Sequence, residues 1–163
     1  MLKIGRLTDY GTVILARLAR VPAQQFTAAE LAAQTHLPRT TVSKLLKQLH
    51  GSGLVSSTRG LHGGYRLARP PAQITAAQIL LALEGPVSLT ECSHQPNYCG
   101  IEGSCGVGRA WQRINLAIQR TLQDVTLLDL AGLTAAPVKF AALERSKAAT
   151  AAAPGTTPVR GVP

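Results

Sequence analysis

Three cysteines, Cys92, Cys99 and Cys105, follow one another as C-x6-C-x5-C in a stretch rich in Gly, Ser and Asn. Thiolates are soft ligands, and a loop free to wrap can bring three of them onto one metal centre. No apolar periodicity surrounds these cysteines that would bury them as small hydrophobes. Structural zinc sites use cysteines paired about two to four residues apart and four protein ligands, and this pattern has neither. Iron-sulfur clusters take cysteine thiolates and tolerate one foreign ligand at a corner, which suits a labile sensing site. His94 is the nearest nitrogen donor, and three unliganded, redox-sensitive thiols are the simpler alternative.

A second group of residues is basic and hydroxylic. Between Glu30 and Glu84 there is no acidic residue, whereas Arg39, Lys44, Lys47, Arg59, Arg66 and Arg69 fall in that interval. The whole chain carries 17 Lys+Arg against 8 Asp+Glu, a formal net charge of +9, and such an excess attracts polyanions. Val42, Leu45, Leu46 and Leu49 recur at helical spacing, leaving Arg39, Thr40, Ser43, Lys44 and Lys47 on the opposite side. A helix with that front fits the DNA major groove, where its side chains reach base edges and phosphates. No run approaches the roughly 18 uninterrupted apolar residues of a spanning helix, so a membrane is not an expected partner.

The elements that must position these residues are short. Leu7, Val13, Ile14, Leu15 and Leu18 mark a first helix, with Asp9 in its first turn, where a negative charge suits the dipole. Thr27-Ala28-Ala29-Glu30 is a capping box that opens a second helix through about residue 34. After the turn Thr35-His36-Leu37-Pro38 comes the basic helix over residues 39–50, ended by Gly51 and Gly53. Residues 54–58 and 65–67 are β-branched and half-polar around a Gly-rich link, a two-stranded hairpin. Thr75-Ala76-Ala77-Gln78 caps another short helix that ends at Gly85-Pro86. The cysteine loop spans about residues 91–108. A longer helix covers about residues 109–124, with Trp111, Ile114, Ile118 and Val125 near a repeat that suits pairing with another helix. Residues 126–130 read as a short capped turn of helix.

Two short helices joined by a tight turn, the second basic and followed by a Gly-tipped hairpin, form the pattern of a winged helix-turn-helix. The expected fold is therefore mainly α with a small β-hairpin wing and a long C-terminal helix, one domain over residues 1–132. Residues 133–163, rich in Ala, Pro, Thr and Gly, are expected to form a disordered tail. The N-terminus shows no apolar segment with a cleavage site, so a cytoplasmic protein is expected, where an odd number of cysteines favours metal or redox chemistry over disulfides. There is no C-x-x-C pair and no nucleotide-binding glycine motif in a strand-helix context, so an enzyme is not expected.

Leu7-Thr8-Asp9-Tyr10-Gly11, the segment Gly53-Leu54-Val55-Ser56-Ser57-Thr58-Arg59-Gly60 continuing to Gly63-Gly64-Tyr65, and the three cysteines together resemble the IscR- and NsrR-like winged-helix regulators of the Rrf2 family. Glu84-Gly85-Pro86, Leu89-Thr90-Glu91-Cys92-Ser93, Cys105-Gly106 and Trp111-Gln112-Arg113-Ile114-Asn115 resemble the branch that regulates the SUF iron-sulfur assembly operon. The resemblance implies a homodimer paired through the helix at residues 109–124, a 2Fe-2S or 4Fe-4S cluster on each protomer, and a double-stranded DNA operator with two-fold pseudo-symmetry. The residues expected to contact DNA are Arg39, Thr40, Thr41, Ser43, Lys44 and Lys47 on the helix and Arg59, Gly63 and Tyr65 on the wing.

Two positions depart from IscR. The histidine that completes its site three residues after the last cysteine is Gly108 here, and its glutamate in the reading helix is Ser43. The NsrR-like pattern instead implies Asp9 of the partner subunit as the fourth ligand, with His94 and Glu102 as alternatives and a plain helix-terminal charge as the simpler role of Asp9. The expected function is a repressor of SUF-type genes that senses cluster status; a nitric-oxide or redox sensor on the same scaffold and a cluster-free repressor are the alternatives.

Overall fold

Local capping fixes where three helices begin. Thr27 N–H donates to the Glu30 carboxylate at 2.7 Å while Glu30 N–H donates to the Thr27 hydroxyl at 3.2 Å. The same reciprocal pair recurs in Thr75 with Gln78 (3.2 and 3.3 Å) and in Thr126 with Asp129 (2.8 and 3.4 Å). Each pair satisfies backbone donors that the first helical turn would leave orphaned. The computed structural model describes residues 4–60, 63–90, 100 and 105–134. In chain order these form α1 (Arg6–Ala19), α2 (Ala28–Thr35), α3 (Arg39–Gly51), β1 (Val55–Thr58), β2 (Gly64–Leu67), a 3-10 turn (Pro71–Gln73), α4 (Ala76–Leu83), α5 (Gly108–Asp124) and α6 (Leu127–Leu130).

The α2–α3 turn is tight because His36 takes a left-handed conformation, φ 56°, and Leu37 N–H donates back to the Ala32 carbonyl at 3.2 Å. Pro38 then serves as the N-cap of α3. The core gathers one stripe from each element: Ile14, Leu15 and Leu18 from α1, Leu31 from α2, Val42, Leu45, Leu46 and Leu49 from α3, with Leu54, Ile74, Ile79 and Leu127 closing it. The α3 stripe is the one the spacing predicts. In α1 the expected set is trimmed: Leu7 and Val13 are 43% and 41% exposed, and Gly11 takes the buried side because Leu83 of α4 occupies the space a side chain would need.

The wing is an antiparallel pair with Val55 opposite Leu67 and Thr58 opposite Gly64. Val55 and Leu67 are buried and anchor its base, while Ser57 and Thr58 toward the tip are exposed. The mainly helical architecture with one hairpin is the expected winged helix. α5 packs beside α4, and Gln119 Nε2 donates to the Val87 carbonyl at 3.1 Å. Along the same helix Trp111, Ile114 and Leu116 are exposed. Cys92, His94, Cys99, Glu102 and the Ala/Pro-rich tail from residue 135 lie outside the described residues.

Candidate nucleic-acid interface and cysteine site

The buried stripe of α3 dictates what the helix shows to solvent. Arg39, Thr40, Lys44 and Lys47 are exposed, and Thr41 and Ser43 are half-buried beside them. No acidic residue sits in the first turn of α3, so the positive end of its dipole is left for an anion. Ser43, Lys44, Lys47, Gln48 and Tyr65 line a cleft between α3 and the wing. Four of those five were expected at the DNA surface, and the fold brings them together although β2 is some twenty residues further along the chain.

The wing is held in register with α3 from two sides. His50 Nδ1 lies 3.0 Å from the Val55 carbonyl and Leu54 N–H donates to the Leu49 carbonyl at 3.0 Å, tying the end of α3 to β1. On the other strand, Tyr65 exchanges two backbone hydrogen bonds with Phe26, ahead of α2. Arg59 follows β1 directly and is exposed at the tip. Gly60, with φ +111°, accepts from Gly63 N–H at 2.9 Å, and a Cβ on Gly63 would run into the Thr58 carbonyl oxygen. Gly63 therefore shapes the wing by backbone approach.

Of the cysteine site, the described residues contain one thiol. Cys105 is half-buried and free, three residues before the first residue of α5. Asp9 is exposed in the first turn of α1, beside a recess lined by Ile4, Gly5 and Arg6. Among the described residues no group of three or more His, Cys, Asp or Glu is placed to hold a metal.

Sequence reasoning misses two contacts at the end of α4. The Glu84 carboxylate accepts from Gly5 N–H at 2.6 Å. The buried Thr8 hydroxyl beside it, which faces that carboxylate without closing a well-formed hydrogen bond, and the Gly5 N–H together hold Glu84 below the usual carboxylate range. The Gln48 amide donates to the carbonyls of Ala82 and Leu83 at 3.0 and 3.1 Å. Neither contact has a local signature, since the partners lie 79 and 34 to 35 residues apart.

A basic reading helix, a hairpin wing and a glycine-shaped tip define a winged-helix DNA-binding protein. The chain belongs to the Rrf2 family, described as iron-dependent transcriptional regulators, which it matches over residues 4–132. It is similar to the HTH-type transcriptional regulator CymR of Bacillus subtilis, with 35% identity over 134 residues, covering 82% of this chain and 92% of CymR. The solved structure of CymR, titled the global cysteine regulator of B. subtilis, superposes with TM-score 0.66 at 34% identity, covering 82% of this chain and 99% of that one. The structure of T. potens IscR superposes with TM-score 0.61 at 26% identity, covering 80% and 87% of the two chains. The protein is a transcriptional regulator and not an enzyme. Among the described residues no helix is long and apolar enough to cross a membrane.

Proposed function

We propose that this regulator is a cytoplasmic homodimer that represses SUF-type iron-sulfur assembly genes and reads cluster status through Cys92, Cys99 and Cys105. The observation that carries the reading is the third of these cysteines, a free, half-buried thiol poised at the start of α5 in a chain of the Rrf2 family. The donor set fits an iron-sulfur cluster: three soft thiolates within fourteen residues, short of the four protein ligands of structural zinc. When bound, the cluster supplies a redox- and oxygen-labile centre whose gain or loss reports iron-sulfur status. Cys92, Cys99 and Cys105 would hold it, with Asp9 of the partner subunit as the fourth ligand.

The chain's own parts do the rest. α5 presents Trp111 and Ile114, 42% and 45% exposed and one turn apart, and a second copy of the helix would cover them. That pairing sets two α3 helices against a duplex with two-fold pseudo-symmetry. Arg39, Lys44, Lys47 and Arg59 neutralise phosphates, Thr40, Thr41 and Ser43 reach base edges, and Gly63 and Tyr65 shape and support the wing. A differential affinity of a few kcal/mol between the two cluster states is enough to change operator occupancy appreciably.

The test is anaerobic purification with visible absorption, iron and acid-labile sulfide content, followed by DNA binding of the Cys92→Ala, Cys99→Ala, Cys105→Ala triple variant. The expected result is near-stoichiometric iron and sulfide in the wild type and no cluster-dependent change in the variant. Colourless protein after anaerobic reconstitution would overturn the cofactor, and unchanged regulation in the variant would overturn the sensing.

A second reading is favoured by the likeness to CymR, whose solved structure is titled a global cysteine regulator. On that reading the target genes belong to cysteine metabolism. Mapping the DNA that the protein occupies in its own cells separates the two: SUF-type promoters support the first, sulfur-assimilation promoters the second. A nitric-oxide or redox signal would use the same residues and differ in what removes the cluster.

A further inference from the structure

Helix ends need partners. The last carbonyls of α4 find no donor within the helix, and the N-cap of α1 is Gly5, which has no side chain to cap the first turn. Both needs are met from elsewhere in the chain. Gln48 of α3 lends its amide to the carbonyls of Ala82 and Leu83 at the end of α4, at 3.0 and 3.1 Å. Glu84, the residue that ends α4, places its carboxylate on Gly5 N–H at 2.6 Å, a negative charge at the positive end of the α1 dipole. Between these contacts α1 and α4 meet without slack, because a Cβ at Gly11 would collide with the Leu83 side chain and one at Gly5 would lie 2.8 Å from the Glu84 carboxylate. Thr8, 2% exposed, is wedged beside Glu84, and Asp9 is the next residue.

We propose that Gln48 and Glu84 are positioning residues that tie the first turn of α1 to the DNA-reading helix α3 through the last turn of α4, and so transmit a change at the cysteine site to operator affinity. The transmission rests on the cluster-sensing reading with Asp9 as a ligand; the mechanical tie does not. A pull on Asp9 moves the first turn of α1. That turn cannot shift without Glu84, and the segment bearing Glu84 is held by a side chain that also lines the cleft with Lys44, Lys47 and Tyr65.

The experiment uses the full-length protein and a DNA duplex selected by the wild type from a random-sequence pool. Gln48→Met keeps the length of the side chain and removes its donors; Glu84→Ala removes the carboxylate. Circular dichroism establishes that both variants fold. Kd is measured with and without the cluster. Each variant is expected to shrink the ratio of the two Kd values by about threefold or more. An equal loss of affinity in both states, with the ratio kept, would mean that Gln48 merely touches DNA and would overturn the transmission.

In the cluster-free protein, the double-mutant cycle of Gln48→Met with Glu84→Ala is expected to depart from additivity by about threefold or more in Kd. Additive effects would overturn the tie even where the wild type responds to its cluster. Equal affinity of the two wild-type states, joined to a non-additive cycle, would leave the tie standing and overturn the sensing reading together with the transmission built on it.

Discussion

Phe26 and Tyr65 pair backbone to backbone, Phe26 N–H donating to the Tyr65 carbonyl at 3.0 Å and Tyr65 N–H to the Phe26 carbonyl at 2.8 Å. The wing is thereby stapled to the segment that leads into α2, so the hairpin and the helix-turn-helix move as one reading head. Gly64 makes the staple possible: a Cβ there would sit 2.8 Å from the Phe26 carbonyl oxygen and 2.9 Å from its carbon, both backbone atoms that cannot swing aside. Gly64→Val is expected to cost about 1–3 kcal/mol in urea unfolding, as overpacking does, and to weaken operator binding through the displaced wing. Wild-type affinity in a destabilised Gly64→Val protein would show that the wing takes no part in binding.

The cleft beside α3 makes a separate prediction about salt. Lys44 and Lys47 flank Ser43 on its rim, and lysines bind phosphate as mobile point charges without reading sequence. Lys44→Ala and Lys47→Ala should each flatten the plot of log affinity against log salt by about one unit per protomer and weaken specific and random duplexes alike. Ser43→Ala should leave the slope unchanged and lower discrimination at one base position by about 1–3 kcal/mol. Competition binding across a salt series measures both, and a Ser43→Ala variant that loses slope without losing discrimination would reverse the assignment.

What the sequence revealed of this architecture follows the range of the interactions. The capping boxes at Thr27 and Thr75 are four-residue patterns, and both are present, because a cap is made by neighbours. The α3 stripe was legible for the same reason, its period being a property of one helix. Leu7 and Val13 fall with the apolar residues of α1 by spacing, yet both are over 40% exposed; periodicity marks an apolar side and is silent on how wide the covering elements are. Gly11, which carries no hydrophobic signal, is buried there because α4 comes close. The 3-10 turn at Pro71–Gln73 and the contacts of Glu84 with Gly5 and of Gln48 with the end of α4 depend on elements being already packed. Of the cleft between α3 and the wing, proposed to face DNA, the basic and hydroxyl residues of α3 can be named from helical geometry, whereas Gln48 resembles any exposed polar residue until the cleft assembles around it.

The small helix α6 has four residues but no freedom. Leu127 is fully buried, its N–H donates to the Ile74 carbonyl at 2.7 Å, and Thr126 bridges to Thr75 at the start of α4. The chain after α5 therefore re-enters the core of the reading head, and the C-terminal end of α5 is held there. Leu127→Ala should cost about 2–5 kcal/mol by cavity formation, measured by urea unfolding with an unchanged m-value. A loss below about 1 kcal/mol would mean that α6 docks only loosely and does not constrain α5.

Acid should reach α6 early in unfolding. The Thr126 hydroxyl and then the Thr126 N–H, donating to Asp129 at 2.6 and 2.8 Å, with Thr134 adding a third donor at 2.9 Å, hold the Asp129 carboxyl below the ordinary aspartate range. A carboxyl whose folded pKa lies below its unfolded value binds protons more tightly when unfolded. Its contribution is whole above the unfolded pKa, near pH 4, and is lost as pH falls through the lower folded pKa. Thr27 acts on Glu30 in the same sense at the start of α2, as Thr8 and Gly5 do on Glu84. Asp129→Asn should therefore lower Tm at pH 7 and converge with the wild type as pH falls through the lowered folded pKa, flattening the acid limb of the Tm profile. Asp129 is half-buried at the surface and the difference will be modest, and salt should change it little because the donors are neutral N–H and O–H groups. Parallel acid limbs in the two proteins would assign the capping of α6 to the Thr126 hydroxyl alone, which Thr126→Ala would then show by itself.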